Sequence, residues 1–138
     1  MSKLKVVATA CVLLTGCVQS AANLRANDGA GSATWTSDKS VTDAFAIIQS
    51  SAVHCWADAA NFIIAAAPPS PARPPSIQIN SSLGHLMSVV DFTSTGSGSR
   101  VDVKVGYSLG NKSRTRDWQR ALQSWLGGQD VNYCPRMP

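Results

Sequence analysis

Between positions 41 and 63 the apolar side chains return every three or four residues. Val41, Phe45, Ile48, Ala52, Cys55, Ala59, Phe62 and Ile63 fall close to one stripe of a helical wheel. This spacing predicts a long amphipathic helix over 41–66, with Ser40 and Asp43 set as a capping box at its start. Pro68, Pro69, Pro71, Pro74 and Pro75 cannot continue that helix, so 66–75 reads as a stiff polyproline crossover. Beyond it the period shortens to two. Val101, Val103, Val105 and Tyr107 alternate with Arg100, Asp102, Lys104 and Gly106, as a strand with one buried and one wet face requires.

Strands are predicted over 76–80, 86–93 and 100–108, with turns at Ser81-Ser82-Leu83-Gly84 and over 94–99. Such short connections imply an antiparallel meander. A further β-prone piece, Thr34-Trp35-Thr36, precedes the long helix. A second helix is expected over 116–126, where Trp118, Ala121, Leu122, Trp125 and Leu126 share a face. Thr115 would cap its start and Gly127-Gly128 would end it. The expected fold is α+β: a two-layer domain in which two helices pack on one face of an antiparallel sheet of three to four strands. The order of elements is similar to helix-grip-like domains of outer-membrane assembly lipoproteins, a likeness at the level of fold alone.

The N-terminus carries different information. Lys3 and Lys5 precede an apolar run from Val6 to Leu14, which is a charged region followed by a hydrophobic one. The run is too short to cross a bilayer, which takes about 20 apolar residues. Leu14-Thr15-Gly16-Cys17 at its end resembles the bacterial lipobox, a branched apolar residue and two small ones before a cysteine. The resemblance spans the first seventeen positions of the chain and implies cleavage before Cys17, with lipid on its thiol. The other reading is an ordinary secretory signal cut near Ala21 or Ala22, with Cys17 discarded. Val18 stands where an aspartate would favour the inner membrane in Gram-negative sorting, so the resemblance implies an outer-membrane anchor and a domain facing the periplasm. Several acyl chains, unlike one, make such anchoring stable. The expected organisation is a signal peptide at 1–16, a lipidated cysteine and flexible tether at 17–33, and a single domain at 34–138. Gln19 to Ser32, rich in Ala, Asn, Asp and Gly, is the tether, with a reach on the order of 20 Å.

Charge and cysteine usage narrow the picture. Loss of Lys3 and Lys5 with the leader lowers the formal charge from +4 to +2, so no strong polyanion signal is left and no nucleic-acid partner is expected. About 120 residues suffice for one core. Cys11 leaves with the leader and Cys17 takes the lipid, leaving Cys55 and Cys134 to bridge in an oxidising compartment, unless the fold holds them too far apart as reduced thiols. A zinc set of His54, Cys55, His85 and Cys134 lacks paired ligand spacing, and no metal or other cofactor is expected.

Catalytic patterns are weak. Gly106-Tyr107-Ser108-Leu109-Gly110 matches the G-x-S-x-G elbow of α/β-hydrolases, yet no histidine follows Ser108 to complete that family's order. The chain has no glutamate, and Asp91 with Asp102 across a hairpin would be a carboxylate pair neutralised by Arg100 and Lys104. Lys112, Arg114, Arg116 and Arg120 gather around the expected start of the second helix, where cations oppose the dipole. They are therefore candidates for contact with an anion or an acidic partner, or else a solvated basic face. The resulting expectation is a non-catalytic binding or assembly module of the cell envelope, held to the membrane by its N-terminal lipid and engaging an envelope protein. The alternatives are a part of a secretion or conjugation apparatus, or a small exported enzyme or enzyme inhibitor.

Overall fold

Ser40 closes an extended segment and opens a helix: its hydroxyl accepts from the backbone N–H of Asp43 at 3.1 Å and donates to the Asp43 carboxylate at 2.7 Å. In the computed structural model, which describes residues 20–26, 31–57, 61–106 and 111–136, the elements run as follows. They are α1 (Ala21–Ala26), β1 (Gly31–Ser37), α2 (Val41–Trp56), β2 (Phe62–Ala67), β3 (Ser76–Ser81), β4 (Leu86–Thr95), β5 (Gly98–Val105) and α3 (Asn111–Gly127). The class is α+β. The described strands form one antiparallel sheet of order β1-β5-β4-β3-β2, so five strands replace the three to four expected. Because β1 and β2 lie at opposite edges, α2 must cross the whole sheet between them, and its contacts with β5, β4 and β2 trace that path.

The first departure from the sequence reading is the extra strand. The helix expected over 41–66 stops at Trp56, and Phe62–Ala67 is β2, paired with β3 from Phe62↔Ser81 to Ala67↔Ser76. Phe-Ile-Ile-Ala-Ala-Ala has no polar position to mark a helical face. As a strand it gains a backbone ladder and still packs Phe62 and Ile64 on the core. The proline-rich stretch accordingly joins two antiparallel strands, with a bridge between Ser70 and Arg73, and does not link a helix to a strand.

The main core lies between the sheet and the pair α2 and α3. Phe45, Ile48 and Ala52 from α2 meet Val90 and Phe92 of β4 and Val101, Val103 and Val105 of β5. Phe45 and Phe92 meet edge to face, with ring centroids 5.5 Å apart. Trp56, Trp118 and Trp125 form a triangle with centroid separations of 5.6, 6.4 and 5.9 Å. Aromatic pairs of this geometry add roughly 1 kcal/mol each beyond the area they bury.

The second departure is on the other face. The stretch read as a flexible tether contains α1, whose Leu24 is fully buried against Leu86 and Val89. Burying a leucine contributes roughly 2 kcal/mol. Arg25 adds an ion pair to Asp91 at 2.6 Å. A β-bulge creates the seat for Leu24: Ile79 pairs with Ser88 but Asn80 with Leu86, leaving Met87 as an extra residue. The alternation therefore reverses there, sending Met87 to the helix-side core and Leu86 toward α1. Two helices do pack on one face as expected, and α1 partly covers the other.

Candidate functional site

At the C-terminal end of the helix layer, α2, α3 and the tail converge on a covalent knot. Cys55 and Cys134 form a disulfide across 79 positions with Cα atoms 5.5 Å apart, as anticipated from the cysteine count. The tail is held further where Trp125 Nε1 donates to the Tyr133 carbonyl at 2.8 Å. With both thiols consumed, the zinc set of His54, Cys55, His85 and Cys134 loses two of its members; both histidines are exposed. Among the described residues no three His, Cys, Asp or Glu side chains group to hold a metal.

The basic cluster lies on α3, whose Arg120 stands beside this knot. α3 begins at Asn111, five residues earlier than expected, so Thr115 sits within the helix and does not cap it. Arg116 and Arg120 consequently lie in the second and third turns, where the dipole is weak. Lys112, Arg116 and Arg120 follow one i, i+4 stripe, while Arg114 is rotated by about 200° from Lys112 around the axis. Arg114 thus leaves the helix on a different side from Arg116 and Arg120. The side chain of Lys112 and residues 107–110, which include Ser108 of the G-x-S-x-G pattern, lie outside the described residues, as does Cys17.

Each described cation has its own environment. Arg120 stacks on the Tyr133 ring, 4.6 Å from guanidinium carbon to centroid. Tyr133 donates its hydroxyl to Asp117 at 3.4 Å, and Arg136 pairs with the same carboxylate at 2.9 Å. The hydrogen bond from Arg136 holds the Asp117 carboxyl below its ordinary range. Burial, aided by the charge of Asp117, pushes the Tyr133 phenol up. Arg114 Nη1 is buried with no hydrogen-bond acceptor among the described residues, and burial lowers the affinity of this guanidinium for its proton. Among the described candidate contacts, Arg114 has a buried donor without an acceptor.

On the opposite face of the sheet, Asp91 and Asp102 stand directly across from each other on β4 and β5. Each has its own arginine: Arg25 on Asp91 at 2.6 Å and Arg100 on Asp102 at 2.9 Å. Partial burial pushes the Asp102 carboxyl up. Hydrogen bonds from Arg100 and Thr34, with the charges of Arg100 and Lys104, outweigh burial and leave it lowered. A shallow open groove of about 370 Å³ lies between the β4–β5 turn and the start of α2, lined by Asp38, Ser40, Val41, Ser94, Ser97 and Gly98. Its small hydroxyls flank one carboxylate, Asp38.

Sequence reasoning missed Gln119, Arg25 and the Tyr133 hub. Gln119 falls on a polar face of α3, where nothing in the pattern distinguishes it from a solvated residue. Arg25 lies in a stretch with no periodicity. The site elements define a small disulfide-pinned α+β domain with charged surfaces on both layers. No protein-family model, curated protein or solved structure matches the chain.

Proposed function

We propose that this chain is a bacterial lipoprotein, anchored through Cys17 to the outer membrane, whose domain serves in the periplasm as a non-catalytic binding or assembly module of the envelope. The observation that carries the reading is Leu14-Thr15-Gly16-Cys17 at the end of a charged and then apolar leader. The Cys55–Cys134 bond is in keeping with an oxidising compartment. In this reading the module contacts its protein partner through the basic residues of α3, among them Arg114, Arg116 and Arg120.

The test begins with metabolic labelling of the full chain with a palmitate analogue in a Gram-negative host. Incorporation that disappears in Cys17→Ser is expected, together with accumulation of the uncut precursor. In-cell crosslinking of the lipidated chain, detergent purification and mass spectrometry then identify its partner. A reproducible envelope protein supports the module, and a member of a secretion or conjugation apparatus would assign it there. An unlabelled chain overturns the anchor, and a labelled chain recovered alone under conditions that capture known envelope complexes overturns the assembly role.

A further inference from the structure

The two edges of the sheet are treated differently. At the β1 edge, the Gln119 side chain occupies both outward backbone groups of Thr34. At the β2 edge, the hydrogen bond from Ser82 N to Asn61 O sets the alternation. Asn61, Ile63, Ala65 and Ala67 turn their backbone groups toward β3, and Phe62, Ile64 and Ala66 turn theirs outward. None of those outward groups has a partner among the described residues. Soluble proteins usually guard such an edge with lysine, proline or an inward charge. From Asn61 to Ala67 there is no charge, no proline and no glycine, and Ile63 is 54% exposed.

We infer that two copies of this chain pair through β2, antiparallel about a two-fold axis at Ile64, joining their sheets into one. The sequence of the edge fits a copy of itself. With Ile64 opposite Ile64, the three outward residues all fall in hydrogen-bonded pairs, giving about six backbone hydrogen bonds across the junction. The same register places Phe62 opposite Ala66 and Ile63 opposite Ala65, a large side chain against a small one each time, with helix-side and outer-side residues kept apart. An uncharged edge meets its copy without the like-charge repulsion that a basic or acidic strand would suffer. Pro68 and Pro69 end the ladder just past Ala67. The interface is isologous and self-limiting. Six residues a side bury less than the roughly 1,200 Å² of a standard interface, so the dimer is weak, with a Kd on the order of 0.1 mM.

The full chain, purified as it matures in its host, is to be followed by sedimentation equilibrium from about 10 µM to about 1 mM, a range that brackets this Kd. A monomer–dimer equilibrium that saturates at two copies is expected. Ala66→Pro removes an N–H that points outward and spares the β3 ladder; Ile63→Lys places a charge on the exposed side. Each should raise the Kd by about tenfold or more while the melting temperature of the monomer holds. The register has its own test. Mixed Ile63→Cys and Ala65→Cys chains should oxidise to a crosslinked dimer, because facing non-hydrogen-bonded residues have Cα atoms about 4.5 Å apart, whereas either variant alone should not. A chain monomeric to about 1 mM overturns self-pairing and leaves the edge to a strand of another protein. A dimer indifferent to both substitutions, or crosslinking equally well in each single variant, overturns this interface. Lipid on Cys17 would join copies through shared micelles, but only pairing through β2 responds to Ala66→Pro and Ile63→Lys, so this interface stands or falls separately from the anchor.

Discussion

The side-chain amide of Gln119 clamps Thr34: Nε2 donates to the Thr34 carbonyl at 2.9 Å, while Oε1 accepts from the Thr34 N–H at 3.2 Å. A residue of α3 thereby completes the ladder of β1 at the point where the sheet would otherwise continue into solvent. Gln119→Ala should lower stability by about 1 to 2 kcal/mol, the range for two solvent-accessible hydrogen bonds. It should also accelerate hydrogen exchange at Thr34 far more than at Ala33, whose backbone groups face β5. Equal protection at Thr34 in the variant and the parent would show that the amide does not close this edge.

The disulfide supports a different prediction. Cys55 and Cys134 close a loop of 79 positions, for which the loop-entropy relation gives a stabilisation of about 4 kcal/mol. Replacing both by alanine should lower the urea midpoint accordingly and loosen the tail, so that Trp125 loses its bond to the Tyr133 carbonyl. Loss of tail order is read from the tryptophan fluorescence, because Trp125 sits in the triangle with Trp56 and Trp118. A loss of unfolding free energy below about 1 kcal/mol would mean that the unfolded chain is already restricted there.

How much of this was legible in advance depended on whether a residue's role is set locally. Val101, Val103 and Val105 were readable as one buried face because alternation is a local signal, and the structure buries all of them. Cys55 and Cys134 were readable by elimination. Phe62 to Ala67 misled because a wholly apolar run carries neither period, and only the tertiary offer of β3 as a partner decides for strand. Leu24 was invisible because its seat is made by a bulge at Met87, more than sixty positions away. The basic residues of α3 were visible as charges. Their separation around the helix followed once the helix began at Asn111, a start that no apolar residue marks.

Acid should weaken the fold through two carboxylates. Asp102 and Asp117 both have folded-state pKa values below the ordinary carboxylate value of 3.8. A depressed folded pKa contributes stability that is fully present above the unfolded value and is lost as pH falls through the folded one. The contribution of these groups is therefore intact at neutral pH and declines below about pH 4. Urea midpoints measured down to about pH 2.5 should fall steeply over that range in the parent, and less steeply in Asp102→Asn with Asp117→Asn. An acid limb of unchanged slope in the double variant would assign the loss to other groups.

Gly98 opens β5 where the β4–β5 hairpin passes the end of β1. A Cβ built on it would lie 2.0 Å from the carbonyl oxygen of Ser37 and 2.8 Å from Cα of Asp38, both backbone atoms. No rotamer change relieves such an overlap, so Gly98→Ala forces the pairing of Ser37 with Ser99 apart. Overpacking of this kind costs about 2 to 3 kcal/mol, and the variant should lose that much in chemical denaturation. Gly96 is two residues away in the same hairpin, and a Cβ there meets nothing within 4 Å. Gly96→Ala should therefore leave stability within about 0.5 kcal/mol of the parent. If the two alanine variants proved equally stable, the close approach of Ser37 to Gly98 would have to be looser in solution than the structure places it.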